Sequence, residues 1–160
     1  MDNSHLSLVL AAIVLLAILI LNVNRTILSS NNNTLQAEAI TTTNSVAQQV
    51  IDLISSKSFD ESTVNADITD INDFTPYASF GTITGETVSQ YDDVDDYINY
   101  FSVISTPRLG NVNINVDVRY VNAAQPDVAV NTRTRMKRVE VKATSVYLPD
   151  TLRLYYYASY

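Results

Sequence analysis

Near its N-terminus the chain carries an almost continuous apolar run from Leu6 to Leu21, in which Ser7 is the only polar residue. As an α-helix this run would span about 24 Å at about 1.5 Å per residue, slightly less than a bilayer core of about 30 Å. Val23 and the polar flanks could extend it into a single transmembrane pass. Met1–His5 contains no basic residue, which is not typical of a cleaved signal peptide. A helix that is apolar on every side requires burial in lipid or among other helices.

A second helical pattern follows, and it is apolar on one side only. Between residues 36 and 56, apolar residues recur at helical spacing, at Ile40, Ala47, Val50 and Ile54. The segment from Ser29 to Thr34 is entirely polar, and its side chains compete for backbone hydrogen bonds. We therefore predict one long helix over roughly residues 3–57, with a weakened or melted section near residues 29–34.

The rest of the chain shows the alternation of apolar and polar residues that is typical of strands. The alternation is strict at Val112–Tyr120, and it recurs at 138–143 and, after a tight turn at Leu148–Thr151, at 152–157. Residues 97–105 predict another strand, and residues 78–84 a weaker one. Strands joined by short turns without intervening helices form antiparallel sheets.

These patterns predict an α+β fold, in which a long N-terminal helix packs on a C-terminal antiparallel β-sheet. We divide the chain into an apolar helix at residues 1–28, an amphipathic half at residues 29–57, and a β-rich head at residues 58–160.

Composition argues against catalysis. The chain contains no cysteine, and its single histidine, His5, lies outside the predicted head. Catalytic arrangements based on histidine or thiolate therefore cannot be built there. We expect a non-enzymatic protein that needs no cofactor.

Charge is distributed unevenly along the chain, whose net charge is −7. Residues 60–96, the acidic segment, contain ten acidic residues and no basic residue, whereas residues 97–160 contain eight basic and four acidic residues. Nucleic acid is a poor partner for this surface, because binding to phosphates requires clustered basic residues. The charges are either ordinary solvated surface or complementary faces that guide assembly between subunits.

The order of an apolar helix, an amphipathic helix, an acidic and aromatic loop and an antiparallel sheet resembles the type IV pilin and pseudopilin family. The segment Tyr91–Tyr97 resembles the Asp-rich stretch that precedes the central strands of many pilin-like heads. The resemblance implies a membrane-anchored subunit that the inner-membrane pilus assembly machinery packs with its own copies into an extracellular filament. The residues expected to pack in the filament core are Leu6, Leu8, Val9, Leu10, Ile13, Val14, Leu16, Ile18, Leu19 and Ile20.

The resemblance also concerns the N-terminus. Family members place a glutamate four residues after their mature first residue, where it is thought to pair with a neighbour's N-terminal amine. His5 occupies that position here, and Asp2 is the nearby carboxylate. We therefore predict that Asp2 and His5 take part in N-terminal charge pairing.

Alternative functions remain open. The chain could be a pseudopilin or minor pilin of a secretion or pilus machine. From a different class, it could be a single-pass membrane-anchored module that binds an external ligand.

Several residues of the predicted head and the polar patch are candidate sites. The acidic loop could bind calcium, although a solvated loop or one paired with basic residues is the simpler interpretation. Its carboxylates are Asp92, Asp93, Asp95 and Asp96. Asn32 lies in an N-x-[ST] pattern and is a candidate glycosylation site.

Two further groups are candidate intersubunit contacts. The basic cluster at residues 133–138 could meet the acidic segment of a neighbour, and the tyrosines of the last strand could cover an exposed edge. The residues concerned are Arg133, Arg135, Arg138, Tyr155, Tyr157 and Tyr160.

Overall fold

The structure, a computed structural model, describes residues 3–83 and 85–160, with side chains from His5 onward. The chain forms two compact units, Met1–Glu38 and Ala39–Tyr160. Asp2 lies outside the described residues, so the predicted part of Asp2 in N-terminal charge pairing falls outside them as well.

The single long helix, α1, extends from Asn3 to Ser55 without interruption. The predicted weak section at residues 29–34 is therefore wrong. Side chains in and near this section bond to the helix itself, since the Thr34 hydroxyl donates to the Ser30 carbonyl at 3.0 Å and Thr26 donates to Asn22 at 2.9 Å. Such backbone-directed bonds at i−4 satisfy the hydroxyls without breaking the helical ladder.

The first unit exposes its apolar residues. Every side chain from His5 to Thr34 is exposed. Among the residues predicted to pack in the filament core, the exposed fraction ranges from 49% for Ile18 to 67% for Leu8. The helix is long and apolar enough to cross a membrane, with a mean hydropathy of 3.0 in its most apolar window.

The second unit begins with the C-terminal part of α1, which packs on the sheet through one face. Its buried residues recur every three or four positions, as an amphipathic helix requires. They are Ala39, Thr43, Val46, Ala47, Val50, Ile51 and Ile54. Ile40, which we placed on the buried face, is 45% exposed because Ala39 takes the inward position instead.

The sheet has five antiparallel strands, and its main order is β1-β2-β4-β5, while β3 pairs with the far end of β2. The strands are β1 (Phe101–Thr106), β2 (Gly110–Asn122), β3 (Gln125–Val130), β4 (Met136–Ser145) and β5 (Leu152–Ser159). The alternation in β2 is confirmed, because Val112, Ile114, Val116, Val118 and Tyr120 are completely buried. These residues face α1 and form the core with the inward residues of β4.

Two strand predictions need correction, and one strand was missed. The first strand starts at Phe101 rather than Tyr97, because a 3-10 turn at Asp95–Tyr97 buries the tyrosine and Asn99 takes a left-handed φ of 58°. Among the described residues of 78–84, none forms a strand, and Tyr77–Ser79 is a 3-10 turn. Strand β3 was not predicted, since its alternation is short and includes Pro126.

Candidate functional site

The most unusual site in the second unit is a lysine buried between two aspartates. Lys137 lies near the start of β4, in the inward row that continues through Val139, Val141 and Ala143. Asp60 follows the end of α1, and Asp95 lies in the acidic loop before β1. Their side chains are 0% exposed for Lys137 and Asp60 and 3% exposed for Asp95.

Backbone pairing brings the two acidic partners together. The Ser58 N–H donates to the Asp92 carbonyl, and the Val94 N–H donates to the Ser58 carbonyl, both at 3.0 Å. This small parallel bridge fixes the chain after α1 beside the acidic loop. Asp60 and Asp95 thus approach Lys137 although they are far apart in sequence.

Each of the three N–H groups of the Lys137 ammonium has an acceptor. Nζ lies 2.8 Å from Asp60 Oδ2 and 2.7 Å from the Phe59 carbonyl oxygen, and it also donates to Asp95 Oδ1. A buried ion pair is tolerated only when such additional hydrogen bonds offset the loss of hydration.

Asp60 is held as the anion of this site. Its carboxylate accepts hydrogen bonds from the backbone and hydroxyl groups of both Ser62 and Thr75, at 2.7 to 3.2 Å. The Tyr120 hydroxyl lies 3.1 Å from Asp60 Oδ2. Burial alone would raise the pKa of Asp60, but Lys137 and these hydrogen bonds outweigh burial and hold the pKa well below its usual value.

Asp95 has the opposite environment. Burial raises its pKa to about 8, and the opposing effect of the Lys137 charge is only partial. Its second oxygen, Oδ2, is buried and has no hydrogen-bond partner among the described residues. A charged oxygen costs more to bury without a partner than a neutral one does, so the environment favours the neutral acid.

Aromatic rings enclose the ammonium group. Lys137 Nζ lies 4.4 Å from the ring centre of Phe59, 4.8 Å from that of Phe80 and 5.2 Å from that of Tyr120. Ring faces attract cations and also exclude water. The site is therefore dry, and its polar groups interact with one another rather than with solvent.

The structure does not bring the four loop carboxylates together as one calcium site. Asp95 bonds to Lys137, and Asp93 Oδ1 accepts the Asp96 N–H at 3.0 Å inside the protein. Burial and the nearby Asp96 charge raise the pKa of Asp93 to about 7. The loop pairs with a basic residue, as one of our interpretations expected.

Among the described residues, one other group of acidic side chains is close enough to share a cation. Carboxylate oxygens of Glu86, Asp92 and Asp96 lie within 4.8 Å of one another. Asp96 Oδ2 already accepts the Asp92 N–H at 3.1 Å, and acidic groups at a surface commonly cluster without an ion. We assign no metal to this group.

The arginines of the basic cluster also bond within the chain. Arg135 donates to the Thr69 carbonyl and Arg138 to the Asp127 carbonyl, both at 2.6 Å, and Arg133 is half-buried. The acidic segment and the basic cluster therefore meet inside one chain, through Lys137. Whether the arginines also contact a neighbour remains a prediction.

The tyrosines of the last strand occupy different environments. Tyr155 is 49% exposed, and Tyr157 is half-buried with its hydroxyl 3.1 Å from Asp127 Oδ1. The Tyr160 hydroxyl accepts the Ile68 N–H, while its ring packs against Phe59 and Phe74. Tyr155 is thus the most available for an intersubunit contact.

The remaining candidates lie on α1, where both Asn32 and His5 are exposed. The sequence did contain a signal for Lys137: extending the β4 alternation two residues back from Val139 places this lysine in the inward row. Its partner Asp60 had no comparable signal, because only the folded loops bring it near β4.

Comparison of the chain with protein-family models, with curated proteins and with solved structures found no match.

Proposed function

We propose that the chain is the structural subunit of an extracellular type IV pilus-like filament, which polymerises through the apolar part of α1. The unpartnered apolar surface from Leu6 to Leu21 supports this proposal. Exposing apolar surface to water costs about 25 cal/mol per Å², so the fifteen apolar residues of this run require another environment. Lipid provides it before assembly, and identical helices provide it in a filament core.

One observation carries the proposal: the apolar stretch and the stretch that packs on the sheet belong to a single uninterrupted helix, Asn3–Ser55. A module that is merely anchored has no need for continuity between its anchor and its folded unit. A filament subunit does, because the helix that is packed in the core must carry the head on the surface.

In this proposal the second unit is the domain on the surface of the filament. Its core is complete without the first unit's apolar residues, since α1 from Val46 to Ile54 already covers the sheet. Repeated contacts between identical subunits that do not close into a ring give an open helical assembly. We propose no reaction of the chain with an external substrate.

Electron microscopy of material sheared from the cell surface tests this function. We expect filaments whose main protein band, identified by mass spectrometry, is this chain, and which disappear when its gene is deleted. Filaments that contain the chain only in trace amounts would favour a minor pilin or pseudopilin. A chain that stays in the membrane fraction, with no filament affected by the deletion, would favour the anchored binding module.

A further inference from the structure

Three features of the Lys137 site are those that an amide-forming reaction requires. An amine nitrogen contacts a carboxyl group, Asp95, whose other oxygen has no partner among the described residues. A second carboxylate, Asp60, lies 2.8 Å from the same nitrogen. Protein groups completely enclose all three side chains, with exposed fractions of 3% or less.

We propose that Lys137 and Asp95 become joined by an intramolecular amide bond between Lys137 Nζ and Asp95 Cγ, with Asp60 as the proton acceptor. This inference concerns the second unit alone and does not depend on filament assembly.

The reaction is a condensation that balances without an external reagent. Asp60 takes one proton from the Lys137 ammonium, and the nitrogen lone pair then attacks Cγ of the neutral Asp95 acid. A C–N bond forms and the C–Oδ2 bond breaks. The leaving hydroxyl takes a second proton from the nitrogen and departs as water. The amide keeps one N–H, and Asp60 keeps the first proton as a neutral acid.

The surroundings favour this outcome over a permanent ion pair. The reacting groups are held in contact, so they need no bimolecular encounter. Well-oriented groups of this kind can reach an effective concentration of about 10⁵ M or more. The rings of Phe59, Phe80 and Tyr120 exclude water, which limits reversal by hydrolysis. An amide also removes the buried ammonium charge of Lys137.

The mass of the intact chain tests the proposal directly. The full chain, folded in detergent and then denatured for mass spectrometry, should be lighter than its sequence mass by one water. Trypsin should then give Ser58–Arg108 covalently linked to Met136–Arg138, without cleavage after Lys137. An intact mass equal to the sequence mass, with cleavage after Lys137, would overturn the proposal.

Variants separate the roles of the residues. Lys137→Met and Asp95→Ala should both show the full sequence mass of the variant chain. Asp60→Asn keeps both reacting groups and should lose the bond or form it far more slowly, and a normal rate would refute the role of Asp60. Lys142→Met is the matched control, because this lysine of the same strand pairs with Glu140 at 3.4 Å and should leave the water loss unchanged. If Asp95→Ala fails to fold, the intact mass and the tryptic peptides of the chain without substitutions still test the proposal.

Discussion

The two units of the chain differ in what they expose and what they bury. The first unit exposes leucine, isoleucine and valine along α1, whereas the second encloses Lys137, Asp60 and Asp95. In the second unit every N–H of the lysine has an acceptor within the chain. In the first unit the apolar surface has no partner within the described chain. The second unit therefore encloses both its apolar core and its charged cluster, whereas the first unit leaves its apolar side chains exposed.

The largest effect is expected from removing the buried cation. Lys137→Met leaves the buried Asp60 carboxylate without its cation, and removing one partner of a buried ion pair destabilises by about 3–5 kcal/mol. Thermal unfolding of the full chain in detergent, followed by near-ultraviolet circular dichroism, should show the loss. Lys142→Met, whose lysine is partly exposed, should change stability by less than about 1 kcal/mol. Equal effects from the two variants would contradict the difference in burial.

The next effect concerns the exposed helix of the first unit. Leu16→Asp places a charge in the apolar run, which costs about 2.5–3.5 kcal/mol at the centre of a membrane-spanning helix. We expect the variant to be lost from the sheared filament fraction, as measured by immunoblotting against the total cell content. Leu16→Ile conserves apolar character and should assemble normally. Normal filaments from Leu16→Asp would show that this surface is not buried in the assembly.

A smaller effect is expected from removing the Tyr120 hydroxyl, a neutral group beside the buried Asp60 carboxylate. The Tyr120 hydroxyl lies 3.1 Å from Asp60 Oδ2 and 2.8 Å from the Thr75 carbonyl oxygen. Tyr120→Phe removes a hydrogen bond to a charged group, which should destabilise by about 1.5–3 kcal/mol in the same unfolding measurement. Tyr155→Phe is the matched control, since its exposed hydroxyl makes only a 3.3 Å contact with Glu140. A larger loss of stability from Tyr155→Phe than from Tyr120→Phe would contradict this prediction.

The smallest effect, taken per pH unit, is a dependence of stability on pH. Burial raises the pKa of Asp93 to about 7, so the folded state holds a proton that the unfolded state releases near its ordinary pKa of 3.8. Between these values Asp93 binds a proton in the folded state that it lacks in the unfolded state, so its contribution to stability falls as pH rises from about 4 to about 7, by at most about 1.4 kcal/mol per pH unit. Asp93→Asn should flatten this slope, and an unchanged slope would assign it to another group.

Sequence patterns predicted the elements whose residues repeat, and missed what depends on contacts between distant segments. The alternation in β2 and the apolar run of α1 repeat over many positions, so their period alone identifies them. The sequence placed Asp95 in an acidic loop that could bind calcium. Its actual partner, Lys137, lies more than forty positions away. No local pattern encodes the folding of Ser58 against Asp92 that brings these side chains together.

The predicted break in α1 failed for a related reason. Residues 29–34 have poor helix propensity, but propensity is a weak preference of a few tenths of a kcal/mol per residue. A helix that is already formed on both sides extends through such a segment, since propagation is easier than nucleation. The hydroxyls of Thr26 and Thr34 then find acceptors on the preceding turn.

A helical reconstruction of the filament by electron cryomicroscopy tests the central claim most directly. The account predicts a central bundle of α1 helices in which residues 6–21 of each subunit are covered by the same residues of its neighbours, with the β-sheet units outside. Filaments held together only by contacts between the β-sheet units, with the apolar run outside the core, would contradict it.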